Sequence, residues 1–297
     1  MEVSGRRTAR ETGEFVVISV IVCTLNRAEQ LRRCIDAFRK VETKRPWELI
    51  VVDNGSTDGT AEFLKSQKHL TYVREERRGL PKAQNAGLRV AGGDIVSFTD
   101  DDCYVTPNYI EALRSAFDYN PHVDFVSGRI LLFDPEDKPI TINTGTEPKV
   151  YPAYSYMPPG EVQGCNMAFR RSAIDRVGGF DEYLPSAADV GIVADVLQSG
   201  GAGIFDPNIV IYHHHGRKTQ KQYHDLMVRY DIGRGAYYAK GLLQSNYRKA
   251  YMKGWMETSK ASINAPWYSR KKAFALFIRA TVRELYGGIL YLIGLAR

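Results

Sequence analysis

The sequence predicts an α/β fold, a mostly parallel sheet flanked by helices, followed by a basic helical extension. Three observations carry this. Val16–Cys23 is a continuous apolar, β-branched run, the mark of a strand buried on both faces. Strand-like and helix-like segments alternate from there to Tyr119 at the spacing of βαβ units. Residues 216–297 hold sixteen Lys or Arg against four Asp or Glu, whereas residues 1–215 hold 24 against 30.

After the first strand and Thr24-Leu25-Asn26-Arg27, apolar residues at Leu31, Cys34, Ile35 and Phe38 keep helical spacing. Leu49–Val52 is a second strand that stops at Asp53-Asn54-Gly55-Ser56. Ser56-Thr57-Asp58 offer capping oxygens to a helix through Ala61–Leu64. A short strand follows near Leu70–Val73, then a helix over Pro81–Val90 with proline in its first turn. The strand Ile95–Thr99 runs into Asp100-Asp101-Asp102, and a helix spans about Thr106 to Tyr119. Beyond it, Val123–Leu132 and Ile204–His215 read as strands, separated by the long loop Asp134–Pro159 and the polar interruption Gly164-Cys165-Asn166.

Length and composition allow one large domain or two small ones. The division predicted is a flexible segment 1–15, a sheet domain 16–215, and a helical extension 216–297. Cys23, Cys34, Cys103 and Cys165 are scattered without disulfide or paired metal-ligand spacing, which fits a reducing, cytoplasmic setting. Neither a secretory leader nor a run of about 18 apolar residues is present. The basic extension, rich in aromatics such as Tyr237, Tyr238, Tyr251 and Trp255, suggests an anionic membrane surface as partner. Packing on the domain or on a second copy in a homo-oligomer is the other reading. No recognisable nucleic-acid module is there, so no nucleic-acid partner is expected.

In a parallel sheet, ligands bind outside the carboxyl ends of the strands. Thr24–Arg27, Asp53–Ser56 and Asp100–Asp102 all lie at such ends and converge on one crevice. Three carboxylates at one point repel each other, so positive charge should sit there, most simply a divalent cation with oxygen ligands. A nucleotide-like ligand fits: Asn54 and Ser56 for hydrogen bonds, Arg27 and Lys82 for phosphate, acids for a metal. The G-x-G-x-x-G fingerprint is missing after the first strand, and so is the G-x-x-x-x-G-K-[ST] phosphate loop. Alternation places His213 and His215 on one face at the end of the last strand.

Taken in order, Ser19–Arg27, Val51–Thr60 and Phe98–Cys103 resemble family 2 glycosyltransferases of the GT-A fold. The resemblance continues through Asn85-Ala86-Gly87, Gly164–Arg170, Gly178–Glu182 and Tyr212–His215, and so covers about residues 16–215. It implies a Rossmann-like, nucleotide-diphospho-sugar transferase fold and a non-processive transfer with inversion. The donor would be a UDP-sugar or a related nucleotide-sugar, and the acceptor a hydroxyl of a glycan or of a lipid-linked acceptor. The enzyme would be cytoplasmic, or peripheral at the inner face of a membrane.

Residue by residue, the resemblance implies that Asp53 accepts from the base, with Thr24, Asn26 and Arg27 beside base and ribose. Lys82 and Asn85 match the segment that approaches nucleotide and sugar. Asp100, Asp101 and Asp102 match the D-x-D motif, with Asp100 at the donor and Asp102 the ligand of Mn²⁺ or Mg²⁺. His213 or His215 completes the metal or pyrophosphate site, and Gly164, Cys165 and Asn166 shape the donor-sugar and acceptor pocket. The base that takes the acceptor proton matches Asp189. The family's acidic neighbour and following Arg are replaced here by Ala188 and Asp195. That departure supports an alternative, a catalytically weak sugar-nucleotide-binding or assembly protein on the same fold.

Overall fold

A computed structural model describes residues 16–184, 186–244, 246–263 and 270–295. The segment 1–15, expected to be flexible, lies outside the described residues. The strands are β1 (Ile18–Thr24), β2 (Trp47–Asp53), β3 (Thr71–Arg74), β4 (Ile95–Asp100), β5 (Cys103–Val105), β6 (Phe125–Leu132), β7 (Lys149–Tyr151), β8 (Met167–Arg170) and β9 (Gly203–His213). The helices are α1 (Ala28–Phe38), α2 (Thr60–Lys65), α3 (Leu80–Val90), α4 (Tyr109–Tyr119), α5 (Arg171–Val177), α6 (Ala188–Gln198), α7 (Gln220–Leu243), α8 (Arg248–Ile263) and α9 (Arg270–Leu295).

The strands form one sheet in the order β3-β2-β1-β4-β8-β6-β9-β5, with β7 beside β9. Its first four strands are all parallel, as the buried apolar runs predict. The other half is mixed: β8 runs antiparallel to β4 and β6, and β5 and β7 run antiparallel to β9. A parallel neighbour needs a crossover, usually a helix. The chain between β6 and β8 has loop, the short β7 and a single 3-10 turn at Gly164–Asn166 but no crossover α-helix, and β8 returns antiparallel.

The sheet is covered on both faces. On one side Leu31, Cys34, Ile35 and Phe38 of α1 and Tyr109, Ile110, Leu113 and Phe117 of α4 are buried against it, the positions that helical spacing picks out. On the other side lie α3 and α6, and with them Tyr237, Tyr238, Tyr251 and Tyr291 of the C-terminal helices. Burying a large side chain of this kind contributes about 1.5–3 kcal/mol. The C-terminal helices therefore share the core of the sheet domain.

A capping box starts α7: the Gln222 backbone N–H donates to Thr219 Oγ1 at 3.2 Å, and the Thr219 N–H donates to Gln222 Oε1 at 2.9 Å. Further along, α7 and α9 cross with their backbones touching. A Cβ on Gly235 would lie 1.8 Å from the Glu284 carbonyl oxygen, and one on Gly287 would lie 1.9 Å from that of Ile232. Much of the local charge is paired internally. Arg234 contacts Asp231 at 2.6 Å and Glu284 at 2.7 Å, Arg283 contacts Asp231 at 3.1 Å, and Trp255 Nε1 donates to Glu284 Oε2 at 2.8 Å. Among the described residues no helix is long and apolar enough to cross a membrane.

Candidate active site

Sheet register assembles the crevice. Thr24 stands opposite Asp53 on the neighbouring parallel strand, and Cys23 stands opposite Asp100 on the other side. Three strand ends thus bring their polar residues to one level. The fourth contribution arrives through β5, whose Cys103 pairs with His213 at the end of β9. That pairing carries the His213 imidazole to Asp102, with Nε2 3.3 Å from Oδ1.

The acidic triplet does meet positive charge. Arg27 reaches both Asp101 Oδ1 and Asp102 Oδ2 at 2.7 Å, and the Thr24 hydroxyl donates to Asp101 Oδ2 at 2.7 Å. Burial works against ionisation throughout. It pushes Asp101 up to about 7 and, with Asp102 close by, Asp100 up to about 6. At Asp102 the same burial is outweighed: His213 and Arg27 hold it well below the usual carboxylate range. Against burial, its hydrogen bond to Asp102 lifts His213 to about 10. Arg27 accordingly serves the acids of the triplet, where a place beside base and ribose was expected.

Asp53 is fully buried. Its Oδ1 accepts from the Ser56 N–H at 2.7 Å, and its Oδ2 accepts from Arg74 at 2.8 Å. Asn54 and Asn85 depart from the expected ligand-binding roles. Asn54 donates to the carbonyls of Glu75 and Arg77 and accepts from the Gly79 N–H, so its amide pins the loop before α3. Asn85 exchanges hydrogen bonds at 2.9 Å with both backbone groups of Phe180. Asn26 sits in the left-handed region at φ 54° and accepts from the Thr57 N–H, while its own N–H donates to Ser56 Oγ. These amides satisfy backbone groups that would otherwise be orphaned. Lys82 lines a cavity of about 400 Å³ with Arg77, Asp181, Glu182 and Tyr183.

His215 is likewise engaged by backbone. Its Nδ1 accepts from the Arg217 N–H at 2.9 Å, which leaves Nε2 as the donor to the Lys138 carbonyl at 2.9 Å. Both ring nitrogens are used, and the expected metal ligation by His215 is not met. His213 differs. Its Nδ1 faces the Thr141 carbonyl at 3.1 Å, so Nε2 points at the acids. Such an outer hydrogen bond is what orients a metal-binding imidazole. Ligand atoms of Asp100, Asp102, Cys103 and His213 all lie within 4.8 Å of one another. The carboxylates and imidazole suit Mn²⁺ or Mg²⁺, and a cation there would displace the Nε2 proton of His213.

Asp189 opens the first turn of α6. Its Oδ2 accepts from the Gly164 N–H at 3.0 Å and its Oδ1 from the Val190 N–H at 2.8 Å, while burial raises its pKa. Beside it is a cavity of about 270 Å³, lined among others by Gln163, Tyr230 and Arg234. Gln163 donates to the Ile142 carbonyl and leaves Oε1 buried without a hydrogen-bond partner. Of the expected pocket residues only Gly164 touches Asp189. Cys165 turns into the core beside Cys103 and His213, and Asn166 spends its amide on the carbonyls of Arg129 and Ile209.

Sequence reasoning missed Tyr230 and Arg234, one helical turn apart on α7; that i, i+4 polar pair was the only signal. It also missed Lys240 of α7, whose Nζ lies 2.6 Å from Asp195 Oδ2 and 3.2 Å from Asp181 Oδ2. A cation from the extension thus balances Asp195, the acid at the position where the resemblance led one to expect Arg.

Three comparisons bear on this arrangement. A family model described as Glycosyl transferase family 2 matches residues 19–178. Glycosyltransferase AglE of Haloferax volcanii is 27% identical over 216 residues, 68% of this chain and 68% of its own length. The glucosyl-dolichyl phosphate glucuronosyltransferase of the same organism is 26% identical over 187 residues, 55% of this chain and 56% of that protein. Among solved structures, the mannosyltransferase PcManGT from Pyrobaculum calidifontis, in complex with GDP-Man and Mn²⁺, superposes with a TM-score of 0.62. It is 20% identical and is matched over 94% of this chain and 87% of its own, a likeness of fold.

Proposed function

The chain belongs to glycosyl transferase family 2, and on that premise we propose that it moves a sugar from a nucleotide-diphospho-sugar to an acceptor hydroxyl, with inversion. One observation carries the reading: Asp53, Asp100 and the Asp102–His213 pair stand at adjoining strand ends, next to a cavity that contains Asp189. A donor laid across the strand ends would place its base towards Asp53 and its diphosphate towards Asp102.

Asp102 and His213 would hold Mn²⁺ or Mg²⁺, with Asp100 beside them. Such a cation neutralises charge on a departing diphosphate. The protein's own part is orientation and proton transfer. The N–H groups of Gly164 and Val190 fix the Asp189 carboxylate at the cavity. Asp189 takes the proton from the acceptor hydroxyl as its oxygen bonds to the anomeric carbon. The bond from that carbon to the diphosphate breaks in the same displacement, and the nucleoside diphosphate leaves with the electron pair. Gln163 Oε1, unpaired beside the cavity, suits a second acceptor hydroxyl. The acceptor is a glycan or a lipid-linked sugar; the name of the glucosyl-dolichyl phosphate glucuronosyltransferase relative favours the second. Four free cysteines support a reducing compartment.

The alternative, a catalytically weak binder, rested on Ala188 and Asp195. The Lys240–Asp195 pair weakens it, since the buried acid has its cation. The test is a thermal-shift and transfer panel of UDP-, GDP- and dTDP-sugars with and without Mn²⁺, on the wild type and Asp102→Ala. One donor should stabilise the wild type in a metal-dependent way and be turned over. Binding without transfer or hydrolysis for every acceptor class would return the case to the binder. Equal shifts in both proteins would remove Asp102 from the site.

A further inference from the structure

The outward side of α9 is apolar along its whole length. Phe274, Ile278, Val282, Leu285, Ile289 and Leu292 form an exposed row, with Val282 at 60% and Leu285 at 58% exposure. Leu285 and Tyr286, Ile289 and Leu290, and Leu292 and Ile293 are exposed as consecutive pairs, so the face is wider than a single stripe. The inward side holds Ala273, Glu284, Gly287 and Tyr291 and is packed against the body of the protein. The face runs from Phe274 to Leu295, about 30 Å at the α-helical rise. An unpartnered apolar surface of this extent on a soluble fold marks an interaction site.

We infer that the outer face of α9 seats the protein in the interface of an anionic lipid membrane. Charge and width select this occupant. Among the described side chains of α9, the exposed charged ones are Lys271 and Arg279, both positive. The helix's only acid, Glu284, is buried and bound to Arg234 and Trp255. A partner helix would cover a narrow seam, about two positions in seven. The consecutive exposed pairs exceed that seam, whereas an acyl–headgroup boundary takes a broad face. Arg234, Lys240 and Arg283 are committed to internal acids and take no part in that contact. The exposed apolar row does the anchoring, and Lys271 and Arg279 select the lipid charge.

The inference does not depend on sugar transfer, so it is tested without donor. The full chain is floated with phosphatidylcholine vesicles and with vesicles carrying about a third phosphatidylglycerol. The expected result is binding to the anionic vesicles that largely survives 0.5 M NaCl, and at least tenfold weaker partitioning for Leu285→Ser/Ile289→Ser. Arg279→Gln should lower the preference for anionic over neutral vesicles while leaving apolar anchoring in place. A thermal-unfolding midpoint and far-UV circular dichroism spectrum unchanged in each variant report that the fold is intact. Wild-type protein that ignores both vesicle types overturns the inference, as does a double variant that binds as well as wild type. A concentration-dependent dimer lost in the double variant, with no vesicle binding, would assign the face to a second copy instead. Each of these outcomes leaves the glycosyl-transfer reading standing.

Discussion

Lys240 Nζ lies 2.6 Å from Asp195 Oδ2, joining the helix that carries Asp189 to the first helix of the basic extension. Both side chains are largely buried, at 13% and 19% exposure. Lys240→Met should therefore cost about 2 kcal/mol in urea unfolding, below the 3–5 expected for a fully buried pair. Burial raises the Asp195 pKa even against Lys240. Its favourable contribution is thus present at low pH and is lost as pH rises through its folded value. Without Lys240 that shift grows, so the deficit of Lys240→Met should widen from pH 5 to pH 8. Lys240→Met/Asp195→Asn should recover much of it.

The two histidines on one face should separate by experiment. His213→Ala removes the imidazole beside Asp102 and should weaken Mn²⁺ binding, measured calorimetrically, by about 10- to 100-fold. His215→Ala removes a ring whose two nitrogens serve backbone groups. It should cost about 1–3 kcal/mol of stability and leave Mn²⁺ affinity within about twofold.

Asp189→Asn should lower kcat by about 10²–10⁴-fold while nucleotide-sugar binding persists, as expected for loss of a general base. Because burial disfavours the ionised form and the base must be ionised to act, the acid limb of kcat/KM should lie above the ordinary carboxylate range. A limb at the ordinary value would show that some other group governs the step.

Removing divalent cation with EDTA should abolish the stabilisation by donor, and Mn²⁺ should restore it. At about 100 times Kd, a donor should contribute about 2.7 kcal/mol. Because the His213 Nε2–H faces Asp102, binding of the cation there should release that proton, measurable as a buffer-dependent enthalpy.

The parallel half of the sheet was legible because its strands are buried on both faces, so Val16–Cys23 and its neighbours read as unbroken apolar runs. The convergence of Thr24, Asp53 and Asp100 followed from chain order and the parallel rule alone. Residue type did not disclose partner. Asn54, Asn85 and Asn166 look like ligand-binding amides in a motif, yet each is spent on backbone carbonyls, in loops for the first two and beside the β6–β9 register shift for Asn166. His213 and His215 look equivalent by alternation, and only the β5–β9 pairing decides which one reaches the acids. Lys240 and Asp195 stand 45 positions apart, so no local pattern links them.

The glycine contacts between α7 and α9 leave those two helices no room to slide or roll independently. One carries Tyr230 and Arg234 on the wall of the cavity that contains Asp189, and the other carries the outer apolar face. They act as a single strut. On the proposed reading, the surface under α9 would set the height and tilt at which that cavity meets an acceptor, so the chain would gauge distance with its backbone. An alanine at Gly235 or Gly287 would pry the strut open and spoil the measure while leaving every strand-end residue in place.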